Sequence, residues 1–383
     1  MGKQVLADVR VFDGSGRPED AEIVDGAGAT LLPGLIDAHT HADEAGLRQA
    51  LTFGVTTELD LASTPGTMIP LRAEVAAAAD LADVRSSSFG LTTPGGHPHQ
   101  LRDRQRDPDW PTVAGPGEAQ AFVDGRIAEG ADYLKVLIED GRTLGTSLPA
   151  LTPDLVDAVV RAGHARGKLV LAHALTVAAT EIALDAGADG LTHLFVDRPH
   201  TPGLITRIAD SGMFVIPTLS TLASITGRRD GADLAADARV RPQLSPEWLD
   251  NLSRSWAFQQ PHHFRYALDT VAALHAAGVD VLAGTDASHL GAFGMAHGAS
   301  LHDELRLLVL AGFSPVAALN AATSVPAARF GLADRGGIRP GARADLVLVD
   351  GDPTTDIGAT LSLRAVWRGG VRLETLRREH HHG

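Results

Sequence analysis

The sequence predicts an α/β protein: a (β/α)8 TIM barrel beside a small β-sandwich domain built from both chain termini. Three observations carry this. From about residue 31 to 332, short apolar runs alternate with Ala-rich helical patterns, the signature of repeated βα units around a parallel sheet. Aromatic residues make up only 4% of a chain that is 44% hydrophobic, so the interior must be filled by Val, Leu, Ile and Ala, as barrel layers are. Outside that alternation, the segments 5–12, 344–349 and 363–373 read as β-strands, the last turning at Gly369-Gly370.

Eight barrel strands are expected at 31–38, 55–61, 88–92, 133–138, 169–173, 190–194, 213–218 and 279–285. Helix starts are legible between them, as at Thr152-Pro153-Asp154, where a capping residue precedes Pro at the first helical position. The barrel therefore spans 31–335, and the segments 1–30 and 336–383 form the β-sandwich domain, its N-terminal part trimmed. The longest connection, 220–278, follows strand seven and carries helical patterns at 245–259 and 262–277. Insertions at that end of a barrel shape or cover the active site.

Composition narrows the function. The 383 residues hold 33 Lys plus Arg against 47 Asp plus Glu, and the net charge of −14 disfavours nucleic acid and anionic lipid as partners. With no cysteine, any metal must sit on nitrogen and oxygen ligands. The opening residues lack a basic stretch followed by an apolar core, and no apolar run reaches membrane-spanning length, so a cytoplasmic protein is expected, with no membrane partner. The terminal Glu379-His-His-His-Gly383 is left out of every site argument. A homo-oligomer is compatible with the sequence, which does not fix the state of assembly.

The chemistry-bearing residues lie at strand ends. In Pro33-Gly-Leu-Ile-Asp-Ala-His39-Thr-His41, alternation along a strand puts His39 and His41 on one side, where they can chelate one ion. Lys135 sits in the apolar run Tyr133-Leu-Lys-Val-Leu-Ile138 and is one of only three lysines, with Lys3 and Lys168. A buried unpaired ammonium is costly, so Lys135 is either salt-bridged, for instance to Glu139, or neutral and carbamylated by carbon dioxide into a carboxylate that bridges two metals. His173 ends strand five, His193 ends strand six, and Asp286 ends strand eight after Gly284-Thr285. Each alone reads more readily as a capping or core polar group. Six such groups at the C-terminal face of one barrel point to a metal centre.

On these residues the chain resembles the amidohydrolase superfamily of metal-dependent hydrolases, over essentially its whole length. The resemblance continues through His297-Gly-Ala-Ser-Leu-His-Asp-Glu-Leu305, Asn320-Ala-Ala-Thr323 and Gly337-Ile-Arg-Pro-Gly-Ala-Arg-Ala-Asp345. Thr93-Pro-Gly-Gly-His97 places it near prolidase-like, Xaa-Arg/Lys dipeptidase-like and imidazolonepropionase-like enzymes. The resemblance implies that His39, His41 and Asp286 bind a more buried metal, that His173 and His193 bind a more exposed one, and that carbamylated Lys135 and a hydroxide bridge them. The ions are divalent, zinc foremost, with Mn, Fe or Co admitted by the same donors. Two departures stand out. The N-terminal β segment is short, and Leu175 occupies a position where dipeptidase-like relatives carry a polar or aromatic residue.

The reaction expected is hydrolysis of an amide-type C–N bond in a small molecule such as an N-acyl amino acid, dipeptide or aryl amide. Asp286 would shuttle a proton, and His97 would hydrogen-bond the carbonyl oxygen or the developing oxyanion. Arg102, Arg104, Arg106 and Arg198 are candidates for a substrate carboxylate, and Leu175 argues for an apolar substrate side. The alternatives are phosphotriester or lactone hydrolysis, deamination or lyase chemistry on the same site, or a non-catalytic metal-binding barrel.

Overall fold

The computed structural model describes residues 4–7, 10, 11, 22–101 and 110–373. The expectations placed on Arg102, Arg104, Arg106 and part of 5–12 lie outside the described residues.

Near the start, the strands are β1 (Gln4–Ala7), β2 (Arg10–Val11), β3 (Glu22–Asp25) and β4 (Thr30–Pro33). The barrel follows: β5 (Leu35–Thr40), α1 (Glu44–Thr52), β6 (Val55–Asp60), α2 (Pro65–Ala77), β7 (Asp83–Ser86), α3 (Ala119–Ala128), β8 (Leu134–Leu137), α4 (Pro153–His164), β9 (Val170–His173), α5 (Val177–Asp185), β10 (Gly190–Thr192), α6 (Pro202–Ser211) and β11 (Phe214–Ile216). The long connection then folds as α7 (Leu219–Ile225), α8 (Asp230–Ala236), α9 (Pro246–Ser253) and α10 (Phe264–Ala276). After strand eight come α11 (Ala299–Leu310), α12 (Pro315–Ala321) and α13 (Ser324–Arg329), then β12 (Leu346–Val349), β13 (Leu363–Arg368) and β14 (Val371–Arg372).

The expected fold is present. Parallel ladders join β5, β6 and β7, and separately β8, β9, β10 and β11. Leu91 closes the first seam, its N–H donating to Lys135 O and its carbonyl accepting from Leu137 N. The second closes through strand eight, where Ala38 N donates to Ala283 O, Asp286 N to His39 O and His41 N to Ala287 O. Ile36, Ala38, Leu59, Leu61, Leu171, Phe214, Ile216 and Leu282 fill the barrel interior. A larger apolar shell packs the outer strand faces against the helices. The Thr-Pro helix start read at 152–153 recurs at Thr64-Pro65 and Thr201-Pro202, with Ser-Pro equivalents at 245 and 314, and the capping oxygen accepts a backbone N–H at all of these but Thr152.

Three strand readings need correction. The run 31–38 is two strands split at Gly34: β4 pairs antiparallel with β12, while β5 enters the barrel. A Cβ at Gly34 would lie 2.2 Å from Thr56 Oγ1, so only glycine lets the chain pass from one sheet to the other there. Strand three begins earlier than 88–92, at Asp83, and its distal part meets β8 through a single bridge, Leu91↔Val136, while Thr92 bridges to Thr112 in the connection before α3. Strand eight is not a regular ladder; it touches its neighbours through the bridges Val215↔Val281 and Thr40↔Ala287, because Asp286 turns out of extended geometry.

The terminal β unit is a five-stranded sheet in the order β14-β13-β12-β4-β2, antiparallel except for β2 with β4, together with a parallel pair of β1 and β3. The turn at Gly369-Gly370 has positive φ at both residues, as a tight hairpin of this kind requires.

Candidate active site

The sequence-predicted residues gather at the C-terminal end of the barrel. Asp286 Oδ1 lies 3.3 Å from His39 Nε2 and 3.1 Å from His41 Nε2. Lys135 Nζ lies 3.1 Å from His39 Nε2 and donates to Leu61 O at 2.9 Å. The His193 ring centroid is 4.8 Å from that of His39 and 4.6 Å from that of His173. His39, His193 and Asp286 offer ligand atoms that all lie within 4.8 Å of one another.

His39 and His41 do converge, though not by simple alternation. Ile36 and Ala38 pack into the barrel interior and Leu35 into the outer shell, so an unbroken strand would send His39 outward. The register between β5 and β6 is irregular between Asp37 and Thr40, which re-aims the two histidines at Asp286. Asp37 stays behind the wall. Its Oδ1 accepts from His39 N at 3.1 Å and Thr285 N at 3.0 Å, and its Oδ2 from Thr285 Oγ1 at 2.7 Å.

Glu139 is not the partner of Lys135. Its Oε2 lies 3.0 Å from His173 Nε2, and its Oε1 accepts from Gly141 N. Among the described residues Lys135 has no carboxylate at ion-pair distance. His97 stacks on His173 at 5.1 Å, and its Nδ1 lies 2.6 Å from Gln100 Nε2. As an amide donor to that nitrogen, Gln100 leaves the His97 proton on Nε2.

Two expectations about substrate binding change. Leu175 is buried at 1% exposure in the shell between strands and helices, so it lines no open pocket and gives no reading of the substrate. Arg198 is 63% exposed and paired with Asp197 at 2.9 Å, a surface pair rather than a site cation.

Backbone strain concentrates here. His193 (φ 68°), Thr218 (φ 49°) and Asp286 (φ 61°) are all left-handed, a conformation that costs non-glycine residues about 1–3 kcal/mol each and clusters at functional sites. Thr218 Oγ1 lies 2.6 Å from His193 Nδ1. Thr218 and Asp37 touch the group and the sequence reading did not place them, while Glu139, read there as a partner for Lys135, touches His173 instead. The visible signal was an acid or hydroxyl inside a run otherwise apolar enough to be buried.

Electrostatics prepare the group for a cation. Burial, and then the Lys135 ammonium, hold His39 well below the ordinary histidine value; burial and His173 do the same to His193. Both imidazoles are thus neutral, with a lone pair to give. Burial pushes Asp286 up, but His39 beside it and a hydrogen bond from His41 outweigh it and keep the carboxyl well below its usual range. Burial pushes Lys135 down to about 8, against the opposing charges of Asp286 and Asp60. Imidazoles that resist protonation and a carboxylate held ionised, converging in one group, fit a divalent metal ion.

The model of the Amidohydrolase family matches residues 30–373. An uncharacterized protein of Mycobacterium tuberculosis is 28% identical over 344 residues, covering 85% of this chain and 80% of its own. Among solved structures, a Xaa-Pro dipeptidase with bound methionine in its active site superposes with TM-score 0.73 at 23% identity, covering 94% of this chain and 91% of its own. Phenylurea hydrolase B does so with TM-score 0.74 at 20% identity, covering 96% of each chain. Those two likenesses speak for the fold, and the match over 30–373 for the family: the chain belongs to the amidohydrolase family and is a metal-dependent hydrolase.

Proposed function

We propose that this chain is a binuclear metal-dependent amidohydrolase that cleaves an amide-type C–N bond in a small molecule: an N-acyl amino acid, a dipeptide or an aryl amide. The observation that carries the reading is the meeting of His39, His193 and Asp286 at the strand ends, with Lys135 Nζ 3.1 Å from His39. His39, His41 and Asp286 would hold one ion and His173 and His193 the other. Lys135, as the carbamate formed from its neutral amine and carbon dioxide with release of a proton, would bridge them. Two divalent ions, zinc foremost, would acidify water and polarise the scissile carbonyl.

The chain's own residues supply the rest. Asp286 accepts a proton from the attacking water and passes it to the leaving nitrogen, which cannot depart as an anion. His97 Nε2–H donates to the carbonyl oxygen as negative charge builds on it. The long connection favours a compact substrate. Gln259 Nε2 donates to the carbonyls of Arg142 and Thr143 in the loop after β8, and Ser224 Oγ donates to Phe293 O in the loop after strand eight. The same connection carries Trp256, stacked on Phe258 at 5.3 Å and packed 5.0 Å from Phe293, an apolar cluster that would suit an aryl or acyl group if the connection covers the site. The two solved relatives are a dipeptidase and a phenylurea hydrolase, named for an amide and a urea bond.

The test is turnover by metal-replete enzyme of matched N-acyl amino acid, dipeptide, aryl amide, lactone and phosphotriester substrates. The amides should lead in kcat/KM. A lactone or phosphotriester ahead of every amide by orders of magnitude would replace this reading.

A further inference from the structure

Glu304 lies on α11, outside the barrel wall, and is fully buried. Its carboxylate reaches across 84 and 85 positions of sequence to the start of α7: Oε1 accepts from Leu219 N at 2.9 Å, and Oε2 from Ser220 N at 2.8 Å and Ser220 Oγ at 3.0 Å. The turn it holds contains Thr218, a β-branched residue at φ 49°, ψ 52°. A β-branched side chain is a genuine outlier there, so the turn persists only if its surroundings hold it. The turn faces the site at two points. Thr218 Oγ1 lies 2.6 Å from His193 Nδ1, and Thr221 Oγ1 donates to Thr285 O at 2.8 Å, one residue before Asp286. Two of the three convergent ligand candidates are therefore braced by one turn.

We propose that Glu304 is a positioning residue for the metal centre: by fixing the strained turn at 218–220 it aims His193 through Thr218 and steadies Asp286 through Thr221. The inference rests on the function proposed above, because it gives His193 a metal to bind. Thr218 Oγ1 accepts the Nδ1 proton of His193, which leaves the Nε2 lone pair for the ion. Without Glu304, two backbone N–H groups are stranded in the interior, and the turn relaxes toward ordinary backbone geometry.

The decisive experiment measures Zn2+ affinity by competition with a chelating dye, in the full chain, for Glu304→Ala, Thr218→Val and the double variant. Thr218→Val keeps the shape and branching of the side chain and deletes only the hydroxyl. Each single variant should lose about 10- to 100-fold in affinity, as removal of a residue that orients a ligand does. The double variant should lose little more, since both act along one path. Glu304→Gln retains one acceptor and should recover part of the loss. Leu308→Ala, a core truncation on the same helix, should lower thermal stability and leave the affinity unchanged. Unchanged affinity in Glu304→Ala, or losses that multiply in the double variant, would overturn the proposal. A wild-type chain that takes up no Zn2+ would instead defeat the proposed function. The inference is then read in metal-free protein with 15N-labelled histidine: His193 protonated at Nδ1 in the wild type and not in Glu304→Ala supports it, and the same tautomer in both overturns it.

Discussion

Lys135 Nζ and His39 Nε2 face each other at 3.1 Å inside the barrel mouth, an amine against an imidazole. The amine's other partner is a carbonyl, Leu61 O, and burial pushes its pKa down to about 8. The Asp286 carboxylate lies 3.3 Å from His39 Nε2, but among the described residues no carboxylate is at ion-pair distance from the amine, which suits a lysine turned into an anion within a cation's ligand set.

Lys135→Ala should therefore lose metal as well as turnover. Elemental analysis of wild-type protein purified without chelator is expected to approach two ions per chain, and that of Lys135→Ala to fall below it. Short carboxylates added to the variant should restore part of the activity by refilling the bridging position. An unmodified ammonium in fully metallated wild-type enzyme would remove the carbamate from the account.

Asp286→Asn keeps the shape of the side chain but cannot accept a proton. Turnover should drop by roughly 10²–10⁴-fold at an unchanged fold. Metal content must be measured alongside, because Asp286 also meets His39 and His41. A metal-loaded Asn variant with wild-type kcat would contradict the proton-shuttle role.

His97→Phe keeps a flat ring against His173 and removes the donor. The loss should appear in kcat, by about 10²-fold or more, with KM nearly constant, since the hydrogen bond strengthens only as charge develops. A change confined to KM would make His97 a substrate-binding contact instead.

His302 gives a pH prediction away from the metal group. It is buried on α11, with Nε2–H donating to Phe53 O at 2.9 Å and Nδ1 2.9 Å from Thr360 Oγ1. Burial lowers its pKa to about 4. The unfolded chain takes up this proton from about pH 6.5 downward and the folded chain only near 4, so the stability linked to His302 is present above pH 6.5 and lost as pH falls toward 4. The full span is on the order of 3 kcal/mol. Thermal unfolding at pH 7 and pH 5 should show a larger drop in Tm for the wild type than for His302→Gln, which does not titrate. Equal drops in the two proteins would refute the linkage.

Much of this was written locally. Apolar runs of strand length between helical patterns, with Ser-Pro and Thr-Pro starts, determine the order of βα units. The ends of the successive strands nominate His39, His41, Lys135, His173, His193 and Asp286, because side-chain direction and burial along one strand are properties of neighbouring residues. Only the tertiary structure decided the partners. Glu139 sits four residues after Lys135 yet pairs with His173; Asp37 crosses 248 positions to hold Thr285, and Glu304 crosses 85 to hold Leu219. The irregular register that turns His39 toward Asp286 arises where β5 meets β6 at one edge and strand eight at the other. Such contacts depend on how a closed barrel brings distant segments together, and a pattern read along the chain contains the groups but not the distances between them.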